Sequence, residues 1–300
     1  MLTISYSDLY PHTLPDGHRF PMLKYDLIPQ QLLHEGIITS HQILTPKKCE
    51  EEILLLTHSR AYIDSLKYGT IDPSHMRRIG FPWSKDLYIR EITLVKGTID
   101  CALMAMKHGV SLNVAGGTHH AFSDKGEGFC LFNDIAVAAN YLIDRKKVSQ
   151  ILIIDLDVHQ GNGTASIFQS NQSVFTFSMH GKDNYPFHKE LSDMDVPLEN
   201  GISDEDYLAL LLNSLDNIER IFKPELIFYL SGVDILATDR YGKLNVTIEG
   251  CKKRDEIVFK FAKKLNVPVA CAMGGGYSPQ IVDIVNAHVN TFKVASNLFS

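Results

Sequence analysis

The chain lacks closely spaced cysteine pairs. Its five cysteines, Cys49, Cys101, Cys130, Cys251 and Cys271, are scattered, so neither a thiolate zinc knuckle nor a disulfide framework is expected, and the thiols read as the reduced ones of a cytoplasmic protein. No apolar run approaches the roughly 20 residues that cross a bilayer. The opening residues lack the basic and apolar segments of an export signal. A cytoplasmic protein with no membrane insertion is therefore expected. Cations are outnumbered, 29 Lys plus Arg against 35 Asp plus Glu for a net charge of -6, which argues against direct nucleic acid binding, since gripping phosphates needs a positive surface. A basic peptide remains compatible. There is one tryptophan, Trp83, and no internal repeat, low-complexity tract or Gly/Ser-rich linker. Nothing marks a boundary, so residues 1–300 are expected to form a single domain.

What is present is an alternation. Short, nearly continuous apolar runs at residues 111–115, 151–155, 173–178, 226–231 and 267–273 suit strands buried on both faces of a parallel sheet. Between them, amphipathic stretches around residues 90–108, 133–146, 204–222, 247–265 and 279–294 suit helices. The alternation predicts an α/β fold, a doubly wound layered sandwich. Residues 67–88 form the least regular stretch, either a functional loop or a surface excursion anchored by Trp83.

In open parallel sheets ligands bind beyond the carboxyl ends of the strands, and four apolar runs lead directly into polar residues. The first is followed by Gly116-Gly117-Thr118-His119-His120, the second by Asp155-Leu156-Asp157-Val158-His159, the fourth by Ser231-Gly232-Val233-Asp234 and the fifth by Gly274-Gly275-Gly276-Tyr277. Asp157 and His159, two apart in extended chain, project to one side. With Asp234 from another strand end they make a facial set of two oxygens and one nitrogen, suited to Zn²⁺ or, with no thiolate to discriminate, Fe²⁺. Consecutive side chains in extended backbone point apart, so the adjacent His119 and His120 resist a purely structural explanation. They suit a proton-transfer pair beside a water acidified by the metal, with Asp155 orienting one ring and Asn162 the other. The Tyr277 hydroxyl is placed to donate to the oxyanion formed when water attacks an amide carbonyl; taken alone, Tyr277 would read as a cap of the following helix.

Together with Gly128-Phe129-Cys130-Leu131-Phe132-Asn133-Asp134 and Gln160-Gly161-Asn162-Gly163-Thr164, these segments resemble the histone deacetylase family from about residue 18 to about residue 286. The resemblance implies the arginase/deacetylase fold, a three-layer αβα sandwich around a mostly parallel sheet of about eight strands, and zinc-dependent removal of acetyl or longer acyl groups from lysine side chains. It implies that Asp157, His159 and Asp234 are metal ligands, His119 and His120 the proton-transfer pair and Tyr277 the carbonyl-polarising group. Phe129 and Tyr185 would face each other across a substrate tunnel to which Gly128, Tyr241 and Gly275 are also assigned, with Asp239, Tyr241 and residues 67–88 near its mouth. Asp155 and Ser178 fall where the family often holds a structural monovalent cation such as K⁺, and Arg19 matches an internal-channel arginine. Where class I members carry a second buried aspartate, this chain has Asn162, so the pKa of His120 should be less raised than with aspartate. The compact length, Asn162 and His18-Arg19-Phe20-Pro21 look closer to class IV and related bacterial deacetylases. The implied partners are acylated lysine peptides or proteins, or acylated amines such as acetylpolyamines. A catalytically silent acyl-lysine-binding module is the remaining alternative. A binuclear ureohydrolase is disfavoured by Gly232, where that chemistry needs another aspartate. Cys130, beside Phe129, is either redox-sensitive or a small packing residue.

Overall fold

The computed structural model describes residues 2–299. Among these, eight strands form one sheet: β1 (Thr3–Ser5), β2 (Ile43–Leu44), β3 (Val110–Asn113), β4 (Ile151–Asp155), β5 (Val174–Gly181), β6 (Met194–Leu198), β7 (Leu226–Leu230) and β8 (Val269–Ala272). Their order is β2-β1-β3-β8-β7-β4-β5-β6. Every pairing is parallel. The sheet is thus wholly rather than mostly parallel, and β3, β4, β7 and β8 are buried along their full length, as apolar runs without alternation require. Those four are neighbours at the sheet's centre, and they are the four whose ends carry the polar motifs.

Helices cover both faces. Lys85–His108 packs on β1, β3 and β8 and against Asp134–Asp144, while Ile281–Phe299 packs on β3 and against Ile248–Leu265 and Lys24–His34. Side chains satisfy the first free N–H groups of the main helices: Ser84 accepts from the Leu87 N–H, Asn133 from Ala136, Ser203 from Asp206 and Thr247 from Gly250. Ser84 starts its helix five residues before the expected boundary at residue 90. A further helix, Pro73–Ile79, with Asp72 as its cap and Pro73 in its first turn, lies inside the stretch that read as irregular. Trp83 anchors this region by donating from Nε1 to the Leu66 carbonyl at 2.8 Å.

Two buried polar groups fix the scaffold beneath the site. Arg254, fully buried on Ile248–Leu265, donates to the backbone carbonyls of Leu156 and Gly232 and pairs with Asp255, and Asp255 also accepts from Tyr229 and Thr291. A charge in this position persists only because every partner is supplied. The result is a clamp on the chain just past β4 and β7.

His58 is the second. Its Nε2 accepts from the Asn133 N–H at 3.0 Å, so the ring proton sits on Nδ1 and is donated to the Phe122 carbonyl at 2.9 Å. Burial pushes its pKa from 6.5 down to about 4. The folded state therefore binds this proton less readily than the unfolded chain. The stability it confers is complete above pH 6.5 and is lost as pH falls toward 4, by at most about 3 kcal/mol. Urea unfolding at intervals between pH 7 and pH 4 should show a shallower loss of stability for His58→Gln than for the native chain. Parallel curves would remove His58 as the source.

Candidate metal and proton-transfer site

Beyond β4 the chain turns so that Asp157 and His159 face Asp234, which follows β7. One ligand atom from each, all buried, lies within 4.8 Å of the others. His159 Nδ1 is 3.0 Å from Asp157 Oδ1 and 3.1 Å from Asp234 Oδ2. Two buried carboxylates thus converge on one ring nitrogen. Burial and the neighbouring Asp157 push the Asp234 carboxyl up to about 7. Against the cost of burial, hydrogen bonds to the two carboxylates hold the His159 imidazole up at about 10. This is the electrostatics of a set that a divalent cation would relieve, and two oxygens with one imidazole nitrogen fit such a cation.

The carboxylates are aimed by backbone. Val158 N–H donates to Asp234 Oδ1 at 2.9 Å, and Gly275 N–H to Asp157 Oδ2 at 2.8 Å. The approach leaves no room for side chains on the glycines. A Cβ at Gly275 would fall 2.1 Å from Asp234 Oδ2, and one at Gly232 would fall 2.3 Å from Asp157 Oδ2 and 2.8 Å from the Asp157 Cα.

His119 and His120 do not point apart. They lie in a turn rather than in extended chain, and their rings pack together with centroids 4.1 Å apart. The turn is held by Asp134, whose carboxylate accepts from Thr98, the Gly117 and Thr118 N–H groups and the Thr118 hydroxyl. His119 Nδ1–H donates to Asp155 Oδ2 at 2.7 Å. Burial alone would lower the His119 pKa, but Asp155 and Asp157 outweigh it and raise it. His120 is driven well below its ordinary value by burial and by the other two imidazoles. Asn162 offers it only a neutral acceptor, at 2.7 Å. The Asn162 amide is itself oriented, because its Nδ2 donates to Glu127 Oε1 at 2.6 Å. Its oxygen therefore faces His120 Nδ1, the proton resides there, and Nε2 is left as an acceptor.

Tyr277 is placed by its own N–H, which donates to Asp239 at 2.6 Å. Asp239 also accepts from the Tyr241 and Gly242 N–H groups, so it clamps this loop rather than facing substrate. The Tyr277 hydroxyl has no hydrogen-bond partner among the described residues. Its pKa is raised well above 10 by burial and by Asp157 and Asp234, so it remains a donor.

An outer pocket of about 330 Å³ leads to this centre, lined by Phe129, Tyr185, Tyr241, Gly128 and Tyr277. Phe129 carries a positive φ of 67°, uncommon for a bulky residue and costing about 1–3 kcal/mol. It is held by its N–H on the Ile79 carbonyl at 2.7 Å and by the rings of Phe20 and Phe81 at 5.1 and 5.2 Å. Residues 67–88 thereby contribute to the wall. Gly275 lines a second, inner cavity of about 40 Å³ instead.

Arg19, expected in an internal channel, lies in the outer pocket, its guanidinium 5.3 Å from the Phe129 ring centre and 5.8 Å from that of Tyr241. The inner cavity is lined by Arg90. Arg90 pairs with Glu91 yet keeps Nη2 unpartnered. Lys24, also unforeseen, is fully buried and donates to the Gly274 carbonyl at 3.0 Å; burial pulls its pKa down to about 8, against the support of Asp234 and Asp157. Asp155 and Ser178 are register partners across β4 and β5. The Asp155 carboxylate is occupied by His119 and the Asp157 N–H, and the Ser178 hydroxyl by His180. The Cys130 thiol is buried and pushed up well above its usual value by burial, as for a packing residue.

A profile of the histone deacetylase domain matches residues 18–292. An uncharacterised protein of Picosynechococcus sp. is 42% identical over 99% of both chains. Histone deacetylase 2 of Arabidopsis thaliana is 32% identical over 87% of this chain and 70% of its own. The crystal structure of an HDAC homolog from Aquifex aeolicus superposes with a TM-score of 0.86 at 25% identity, over 99% of this chain and 84% of that one.

Proposed function

The chain belongs to the histone deacetylase family, and from that premise we propose that it is a zinc-dependent amidohydrolase that removes acetyl or longer acyl groups from lysine side chains, acting as a single domain. The observation that carries this reading is the convergence of three buried ligand atoms within 4.8 Å beside a histidine pair in two different protonation environments and an unpartnered tyrosine hydroxyl. Asp157, His159 and Asp234 would hold Zn²⁺, with Fe²⁺ an acceptable substitute for this donor set. Bound there, the cation supplies Lewis acidity to water and to the acyl carbonyl. Neutral His120 accepts the water's proton at Nε2 while its Nδ1–H stays on Asn162, and the pair returns a proton to the departing amine. His119, whose proton affinity Asp155 and Asp157 raise against the cost of burial, supports the positive charge that builds on the pair as the water is deprotonated. Tyr277 donates a hydrogen bond from its hydroxyl to the developing oxyanion and keeps its proton. Phe129 and Tyr185 flank the alkyl chain of the lysine, and Tyr185, whose ring stands edge-on to His120 at 5.0 Å, helps exclude water. A K⁺ ion beside Asp155 and Ser178 would be held by backbone oxygens, since both side chains are occupied.

The inner cavity, lined by Tyr25, Arg90 and Leu94 together with residues of the metal site, is where the acyl group would lie. Among the described residues no helix is long and apolar enough to cross a membrane. The five free, buried cysteines support a reducing, cytoplasmic setting.

The test is release of product by the zinc-loaded protein from acetyl-lysine and octanoyl-lysine peptides and from acetylpolyamine, beside a chelated control. Chelator-sensitive release is expected, and the ratio of the rates on acetyl-lysine and octanoyl-lysine gives the preferred acyl length. No release from any substrate with zinc bound would overturn the amidohydrolase reading in favour of a silent acyl-lysine-binding module.

A further inference from the structure

The chain as a whole carries a net charge of -6, yet the pocket that leads to its centre is rimmed by cations. Arg19, Arg78 and Lys243 line it, and the only carboxylate among its described lining residues is Asp183. Asp183 turns its Oδ2 toward Asn200 at 2.9 Å, so three cations stand against one carboxylate in the lining. Of the other nearby carboxylates, Asp239 is turned to the backbone of residues 241, 242 and 277, and Glu127 sits behind the wall on Asn162 and Tyr185. Neither Arg19 nor Arg78 is paired with a carboxylate among the described residues. Arg19 is nevertheless fixed in place, lying over Phe129 and Tyr241, two walls of the same pocket.

We propose that this rim selects acyl-lysines set in acidic sequence, so that the preferred substrate is a protein or peptide with Asp or Glu beside the modified lysine, and that basic tails and polyamines are disfavoured. The inference rests on the amidohydrolase reading above and names its substrate. An extended lysine side chain places Cα about 6 Å from Nζ. With the acyl nitrogen at the metal centre, the substrate backbone therefore crosses the mouth of the pocket. The three cations come from three separate segments, the stretch before Lys24–His34, the end of Pro73–Ile79 and the loop after Asp239. A single α-carboxylate of a free amino acid would meet one of them, whereas a chain with acidic residues on both sides of the lysine meets several. Each such exposed pair contributes a factor of about 2–5, and the field of a like-signed rim around a low-dielectric pocket adds to the rate of encounter. An acetylpolyamine brings further positive charge to the same rim and loses by the same factors.

The experiment compares acetyl-lysine peptides of one length with acidic, neutral or basic flanking residues, and free Nε-acetyl-lysine, on the zinc-loaded protein at low salt and at about 0.5 M salt. Expected is a kcat/KM higher by about tenfold or more for acidic than for basic flanks, carried mainly by KM, shrinking at high salt as screening shortens the reach of exposed charges. Arg78→Glu should flatten or invert the order. Peptide affinity measured by fluorescence anisotropy on zinc-loaded Tyr277→Phe protein, in which turnover is slowed, should rank the peptides in the same way. Equal affinities and rates, or a preference for basic flanks, would overturn the proposal while leaving the amidohydrolase in place. Free acetyl-lysine processed as well as the acidic peptide would overturn the role of flanking residues. Charge-ranked binding with no turnover of any peptide by the native protein would remove the amidohydrolase and leave the charge selection standing.

Discussion

Asp157→Ala is expected to lose zinc and turnover together, with kcat/KM falling by roughly 10³-fold or more, since a Lewis acid of this kind contributes several kcal/mol to the barrier. Asp157 does two things at once. Its Oδ1 lies beside His159 Nδ1, and its Oδ2 accepts from the Gly275 N–H in the segment that carries Tyr277. Alanine leaves one carboxylate and one imidazole, a pair that holds a divalent cation poorly. The measurement is zinc content after dialysis, together with thermal unfolding with and without added zinc. Zinc bound only to the folded state raises Tm by mass action, so the native protein should show the rise and the variant should not. A variant that keeps one equivalent of zinc would remove Asp157 from the ligand set, whatever its activity.

Tyr277→Phe separates the metal from the chemistry. The hydroxyl has no hydrogen-bond partner among the described residues, so its removal strands no group there. The ring keeps its neighbours, Tyr241 at 5.2 Å and Phe129 at 6.0 Å. Stability and zinc content should be unchanged. Turnover should fall by about 10²-fold or more, the loss that follows removal of one donor aimed at a developing oxyanion, with the larger effect in kcat because the interaction strengthens as charge develops. An unchanged kcat would show that the phenol lines the pocket and takes no part in the reaction.

The centre was legible in the sequence because it is built at strand ends. An apolar run that gives way at Asp155, Ser231, Gly116 or Gly274 announces both the strand and the place where its polar residues emerge, and β3, β8, β7 and β4 are adjacent. What was not legible reaches the site from elsewhere. Lys24 and Arg90 sit on amphipathic helices, where a lone cation reads as part of a solvated face, and only the packing of Lys24–His34 and Lys85–His108 turns them inward. Arg19 was placed too deep for a related reason: its neighbours in sequence do not say which side of Phe129 it occupies. Three strands also escaped notice. β1 and β2 have three and two residues, too few for a period to register. β6 contains Asp195 and Pro197, residues tolerated because it lies at the sheet's edge. The helix Pro73–Ile79 was hidden by the Gly and Pro residues around it, although Asp72-Pro73 is a good helix start.

The space denied to a side chain at Gly232 bears on the evolutionary reach of this scaffold. A second cation would need a further carboxylate bridging from beside Asp234, and position 232 is where the chain could supply one. Any Cβ there collides with backbone as well as with a carboxylate oxygen, so no single substitution leads from this centre to a two-metal one. The Arg254 clamp on the Gly232 carbonyl resists the backbone shift that would make room. A change at the exposed rim residues Arg19, Arg78 and Lys243 meets no such obstacle, so the scaffold yields more readily at the mouth of its pocket than in the number of cations its centre could hold.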